Sequence, residues 1–309
     1  MQERFACKLC HSDTTRRHYE LRGATGHPFA AAECGRCGLF QAVYDWQARE
    51  APQVTGAFDE ASERELWGSA AELEAHRNKG AHFARMLDAR GLVRGARILD
   101  VGCGKGFFLD ECVKLGAAHV TGQEFRNIDI AYARERLGLE DVRSSELHDR
   151  RAWRDSEFDV VCSFDVIEHV DDLQGFMDDC MRVVRPGGVL AHAAPGYDSI
   201  SNRAGRALVR ARIRRPGTVL CNLTEPTGPS GGPHVSIFGL EPLQWVASQY
   251  RLSLVLTDYV ASYSYSDRHY AALLPGLRLL PARVGARVFK LVRSRIRNKL
   301  VFIAEAPSA

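Results

Sequence analysis

Arg97-Ile-Leu-Asp-Val-Gly-Cys-Gly-Lys-Gly106 is the stretch that decides the fold. Its first five residues form the largely apolar run that a strand buried on both faces requires. Glycines follow at 102, 104 and 106, and Phe107 to Leu115 reads as a helix. A strand that passes through glycines into a helix brings bare backbone up to a ligand at the helix N-terminus. The same rhythm returns downstream. His119–Glu124 is a second strand, ending in a carboxylate about 24 residues past Asp100, where an acidic group can accept both hydroxyls of a ribose. Glu157–Ser163 is a third strand and runs into Phe164-Asp-Val-Ile-Glu168-His169-Val170. A helix over about 172–184, a turn at Arg185-Pro-Gly-Gly188 and a strand over 189–194 complete the pattern. Strands alternating with helices predict an α/β fold with a mainly parallel sheet and helices on both faces.

The chain has 309 residues, 45% hydrophobic and 26% charged, which excludes a wholly disordered or fibrous protein. Its net charge of +3 gives no global pointer to nucleic acid. No apolar run approaches the roughly 20 residues needed to span a bilayer. Met1-Gln-Glu-Arg4 leads to Cys7 and not to an apolar signal core, which predicts a cytoplasmic protein. Nine cysteines, four of them clustered near the start, argue for a reducing compartment and a metal site rather than a disulfide framework.

Those four are Cys7-Lys-Leu-Cys10 and Cys34-Gly-Arg-Cys37-Gly38. Two C-x-x-C pairs suit tetrahedral zinc, and an all-cysteine ligand set leaves no open position, so the metal reads as structural. A unit of about 45 residues has too little core to fold without such a staple. Residues 1–45 are therefore expected to form a zinc-ribbon-like lobe, and 46–92 a linker and helix. Ser69 and Glu72 make a capping-box pattern, and Leu73, His76, Gly80, Phe83 and Leu87 follow at roughly helical spacing, predicting a helix from about 70 to 90 that ends at Gly91.

Asp100-Val-Gly-Cys-Gly-Lys-Gly106, Glu124, the Asp159–Val170 segment and Arg185-Pro-Gly-Gly188 together resemble the class I S-adenosylmethionine-dependent methyltransferases, nearest the branch that holds ubiquinone and sugar methyltransferases. The resemblance covers about 92–260, with a matching last strand near 299–305, and makes 93–309 the methyltransferase domain. It implies a Rossmann-like, seven-stranded, mainly parallel sheet with helices on both faces, and S-adenosylmethionine as cofactor. Asp100, Gly102 and Gly104 would line the methionine moiety, Gly106 would complete the cofactor-binding loop, Glu124 would hold the ribose, and Phe164 would face the cofactor and the methyl-transfer locus. The family commonly places an acidic residue after the third strand, against the adenine. Here the stretch is Arg143-Ser-Ser145-Glu146-Leu147, so Ser145 or Glu146 must serve.

Beyond Pro195 the chain enters an acceptor lid over about 196–235. His234-Val-Ser-Ile-Phe238 resembles the histidine element found before the sixth strand of many small-molecule methyltransferases. His234 is thus the candidate base or acceptor-positioning group, with His169 a second candidate whose plainer reading is a helix start. A helical insertion over 262–298 precedes the last strand.

Fourteen of the 41 basic residues fall in two acid-free runs, Arg203–Arg215 and Arg278–Lys299, leaving 27 against 38 acidic residues elsewhere. These runs read either as solvated helix faces or as contacts with an anionic substrate or membrane. Val284, Val288, Leu291, Val292 and Ile296 share a face opposite most of the cations, which suits a peripheral helix over 283–297 on an anionic membrane and a core-docked helix equally. The expected activity is methyl transfer to a small-molecule acceptor: a sugar, a lipid-linked saccharide or a secondary metabolite. The alternatives are an RNA base methyltransferase, which Phe164-Asp-Val166 disfavours, and a cofactor-binding module without turnover.

Overall fold

The computed structural model describes residues 5–22, 28–43, 68–212, 223, 233–261 and 297–308. The main sheet is built from β4 (Arg97–Val101), β5 (His119–Gln123), β6 (Val142–Arg143), β7 (Phe158–Phe164), β8 (Val184–Pro195), β10 (Ser253–Ala261) and β11 (Arg297–Glu305). Its order is β10-β11-β8-β7-β4-β5-β6. β4 is parallel to both β5 and β7, and β7 to β8, whereas β11 runs antiparallel to β8 and β10. From β4 the chain winds outward to β5 and β6, then returns to β7 and winds the other way. The crevice outside the carboxyl ends of β4 and β7 is therefore the ligand position of such a sheet.

Alternate residues of the inner strands β4, β7, β8 and β11 enter different cores. Leu99, Val161, Leu190 and Phe302 lie in one cluster. Ile98, Val160, Ala191 and Ile303 lie in the other, with Phe83 of α1 (Ala70–Asp88) and Phe108 of α2 (Phe107–Lys114). Burial on both faces is why these strands read as continuous apolar runs. The Ser69–Glu72 capping box is formed at the start of α1, and the helix stops at Asp88 in a turn that carries Gly91 at φ +72°. The expected turn at 185–188 lies inside β8. Phe158 pairs with Val184 and Val160 with Val189, so the intervening residues bulge out around Gly187 at φ +67°.

The remaining helices are α3 (Asn127–Leu137), α4 (Leu173–Val183), α5 (Ile200–Arg210) and α6 (Leu240–Tyr250). A second sheet takes β1 (Thr15–Arg22), β2 (Pro28–Cys34) and β3 (Phe40–Val43) from the N-terminal segment. Its fourth strand, β9 (Ser236–Ile237), comes from the far side of the lid region. α5 falls within the expected lid, while 213–222 and 224–232 lie outside the described residues, as do 262–296 with nearly all of the proposed peripheral helix. Arg206 on α5 is not on a solvated face. It is 6% exposed, its guanidinium lies 3.4 Å over the Tyr197 ring, and it donates to Tyr197 O.

α1 crosses the start of α2 at Gly80, where a Cβ would lie 2.7 Å from Phe108 N and 2.8 Å from the Phe107 carbonyl carbon. Both contacts are backbone and cannot step aside. Gly80→Ala is expected to destabilise the protein by about 1–3 kcal/mol in urea unfolding. An unchanged midpoint would show that the two helices are not held at this crossing.

Candidate functional site

The end of β4 and the loop after it form one wall of the crevice. Asp100 is 3% exposed, and its Oδ1 has no hydrogen-bond partner among the described residues. Burial pushes its carboxyl up to about 8, with Lys79 opposing and Glu124 adding to the rise. Gly102 sits at φ +69°, and a Cβ there would lie 2.5 Å from Val166 Cγ2, so the loop and the turn after β7 can approach only through glycine. Gly104, at φ +53°, has open space where a Cβ would stand. Glu124, immediately after β5, accepts from Gly104 N at 2.9 Å, Phe125 N at 2.7 Å and Arg126 N at 2.9 Å. Its carboxylate thus faces the glycine loop across a short gap. A bare cradle, an orphaned buried carboxyl and a fixed carboxylate suit a cationic amino acid joined to a ribose.

Gln123 has no sequence signature, yet it ties the wall together. Its Oε1 accepts from Gly102 N at 3.1 Å and its Nε2 donates to Ser145 O at 3.4 Å. Ser145 and Glu146 line a surface cleft of about 580 Å³ with His148, Asp149, Arg150 and Arg151. Phe164 is the last residue of β7 and packs in the core. Its ring stacks on Phe83 with centroids 4.2 Å apart and meets Phe108 edge-on at 4.9 Å.

The opposite wall starts at Asp165, in the left-handed region at φ +64°. Lys79 of α1 donates to its Oδ2 at 2.8 Å, and Lys299 of β11 to its Oδ1. Burial lowers the affinity of both lysines for their protons. These cations lie far from Asp165 in sequence, and no local pattern marks them. Glu168 and His169 follow in a single 3-10 turn, Ile167–His169. Glu168 is 1% exposed, its Oε2 has no partner among the described residues, and burial raises it to about 8.

The fold brings His169 and His234 together. Their rings lie 4.8 Å apart, edge to face, and His169 Nδ1 is 3.1 Å from Pro233 O. Donation to that carbonyl leaves Nε2 with the lone pair. Glu168, His169 and His234 hold their ligand atoms within 4.8 Å of one another, so this group has the donors to hold a divalent ion or to move a proton.

The four cysteines meet in a second cluster, all buried, with their sulfurs within 4.8 Å. Cys7 and Cys37 Sγ are 3.5 Å apart, as are those of Cys10 and Cys34. Tetrahedral zinc with bonds of 2.3 Å needs sulfurs about 3.8 Å apart, whereas a disulfide needs about 2.05 Å. The Cys37 thiol lowers Cys7 to about 5, and Arg36 N points at Cys34 Sγ at 3.3 Å. The donor set and its spacing suit zinc.

A family model described as a methyltransferase domain matches residues 99–192. Residues 99–192 are a methyltransferase domain of the class I, S-adenosylmethionine-dependent type. The chain is 33% identical over 116 residues to a ubiquinone biosynthesis O-methyltransferase of Chelativorans sp. (strain BNC1), covering 37% of this chain and 46% of that one. It is 39% identical over 136 residues to the protein of the same name from Maricaulis maris (strain MCS10), covering 43% and 50%. The chain spans about half the length of these relatives. A chain from the complex between the Haloferax volcanii Trm112 methyltransferase activator and a methyltransferase shares the fold at TM-score 0.54 and 15% identity, covering 82% of this chain and 100% of that one. The family match begins in β4 and ends in β8, so it contains Asp100, the glycine loop, Glu124 and the Glu168-His169 turn but neither His234 nor the four clustered cysteines.

If Glu124 holds the ribose, Glu124→Ala weakens S-adenosylmethionine binding by about 1.5–3 kcal/mol, the usual cost of losing charge-assisted hydrogen bonds. Calorimetry on the purified protein measures this, and an unchanged affinity would remove Glu124 from that role.

Proposed function

We propose that this chain transfers a methyl group from S-adenosylmethionine to a small-molecule acceptor, of the class of a sugar, lipid-linked saccharide or secondary metabolite. The observation that carries the proposal is the crevice at the ends of β4 and β7, where the glycine loop and Glu124 face the Asp165–His169 turn across the Gly102–Val166 contact. Bound S-adenosylmethionine would supply an electrophilic methyl on a sulfonium. Asp100 would balance the cofactor's positive charge, Gly104 would give it space, and Glu124 would accept its ribose hydroxyls.

On the acceptor side the histidine pair would receive the proton of an acceptor hydroxyl, with His234 as base and His169 oriented by Pro233 O. The name O-methyltransferase carried by the relatives supports an oxygen acceptor. The four-cysteine cluster would hold one structural zinc. No helix among the described residues is long and apolar enough to cross a membrane.

Incubating the protein with methyl-labelled S-adenosylmethionine, a metabolite pool and total RNA, followed by mass spectrometry, tests the proposal. Label is expected in a small molecule. His234→Ala should slow its transfer by roughly 10²- to 10⁴-fold while leaving cofactor affinity intact. Label confined to RNA would overturn the acceptor class. Elemental analysis of protein purified without chelator should find about one zinc per chain, and finding none would refute the metal site.

A further inference from the structure

The cysteine cluster is wired to the acceptor histidines. Lys8, between Cys7 and Cys10, uses its backbone in both directions. Its carbonyl accepts from Leu173 N at 2.9 Å, at the start of α4 and four residues past His169. Its amide donates to Gln41 Oε1 at 2.9 Å. Its side chain pairs with Asp171. Gln41 is 2% exposed and closes the loop by donating Nε2 to Ala6 O at 2.9 Å, on the other side of Cys7. The cysteine loop is thus hydrogen-bonded both to the segment that follows His169 and to β3.

β3 carries the connection to His234. Gln41 and Phe40 pair with Ser236 and Ile237 of β9, and Ala42 N donates to Val235 O at 2.9 Å. Val235 N donates to Glu168 O at 2.7 Å, and Ser236 Oγ to Ile167 O at 3.4 Å. The segment after His169 is thus held directly by Lys8 O, and Val235, next to His234, is held by β3, which Gln41 ties to the cysteine loop. Cys7, Leu9, Cys10, Cys34, Cys37 and Leu39 share one core with Ile167, Leu173 and Phe238. The glycine loop and Glu124 take none of these bonds. Their hydrogen bonds run to Gln123 and to their own backbone, and Gly102 meets the turn after β7 only by packing on Val166.

We infer that the four-cysteine loop is the clamp that sets the His169–His234 spacing, with Gln41 as its positioning residue, so that the acceptor side of the site depends on the thiolate cluster while the cofactor side does not. Release of the thiolates loosens the Ala6–Lys8 backbone. Lys8 O and the Gln41 amide then lose their fixed directions, and the two segments that bear the histidines part. The inference rests on the proposed acceptor role of the histidines for its functional meaning, but the wiring itself can be tested without turnover.

The experiment uses the full chain, with histidines isotopically labelled, in three forms: as purified, as Gln41→Met, and stripped of metal by chelator under reducing conditions before zinc is restored. Methionine keeps the length of glutamine and removes both of its hydrogen bonds. Three quantities are read: the cross-relaxation between the His169 and His234 rings, amide exchange at Leu173 and Val235 against Asp110 at the start of α2, and affinity for S-adenosylhomocysteine. Gln41→Met should retain its metal, lose the ring contact and exchange at Leu173 and Val235 at least tenfold faster. Exchange at Asp110 and the affinity should stay within twofold. Stripping should do the same, and zinc should reverse it.

A ring contact and protection that survive both treatments overturn the inference. So does protection lost equally at Asp110, which would make the lobe a general prop of the fold. Protein that carries no metal as purified yet shows the intact contact also overturns it. Failure of the methyltransferase reading is distinguishable, because it appears as untreated protein that does not bind S-adenosylhomocysteine while the ring contact is present.

Discussion

The burial of acidic groups at the carboxyl ends of two neighbouring strands is the constraint that the rest of the site answers. Asp100 and Glu168 are almost wholly buried, each keeps an oxygen without a hydrogen bond among the described residues, and each is pushed up to about 8. A carboxyl whose folded value exceeds its unfolded value of about 4 favours the folded state less and less as pH rises from about 4 to about 8. The empty protein is therefore expected to lose stability across that window. Two lysines are drawn in beside them. Lys79 and Lys299 both reach Asp165, and Lys79 also acts on Asp100 and Glu168. The arrangement is costly as a scaffold and sensible as a receptor for a positively charged ligand.

The parallel core was legible because double-sided burial writes itself as apolar runs and because the glycine loop has a local cause. Asp100, Gly102, Gly104 and Glu124 were all reached from spacing and resemblance, and the structure sets Glu124 on the Gly104 amide. The paired C-x-x-C motifs were equally readable, since four thiols at that spacing have few other uses, and they do converge. What stayed hidden depends on long-range pairing. Nothing near Gln123 announces that its amide will bridge Gly102 and Ser145. Nothing near Lys299 marks it as the partner of a residue more than 130 positions earlier. His169 and His234 were each visible as single residues, but only the return of the chain through β9 makes them a pair.

The same return alters the meaning of the N-terminal lobe. Read along the chain, it is a zinc-stapled unit placed before the methyltransferase domain. In the structure its sheet is completed by β9, its cysteines pack in a core shared with α4 and α6, and Arg16 grips Glu241 at the start of α6 with both terminal nitrogens. The proposed cofactor and acceptor sides would thus have separate hydrogen-bonded supports, one built on β4 and β5, the other on the lobe and the turn after β7. Such a division would let acceptor chemistry vary on a constant cofactor half.

The central claim is that the buried Asp100 carboxyl awaits a cationic cofactor, and proton linkage tests it most directly. At pH 7 a group held near 8 is mostly protonated, and a sulfonium and ammonium brought beside it would expel that proton. Titration calorimetry of S-adenosylmethionine binding in two buffers of different ionisation enthalpy measures the exchange. The expected result is net proton release that declines as pH rises from 7 to 9, affinity that strengthens over the same range, and loss of both trends in Asp100→Asn. Binding with no buffer dependence in the unmodified protein, or release undiminished in Asp100→Asn, would contradict it.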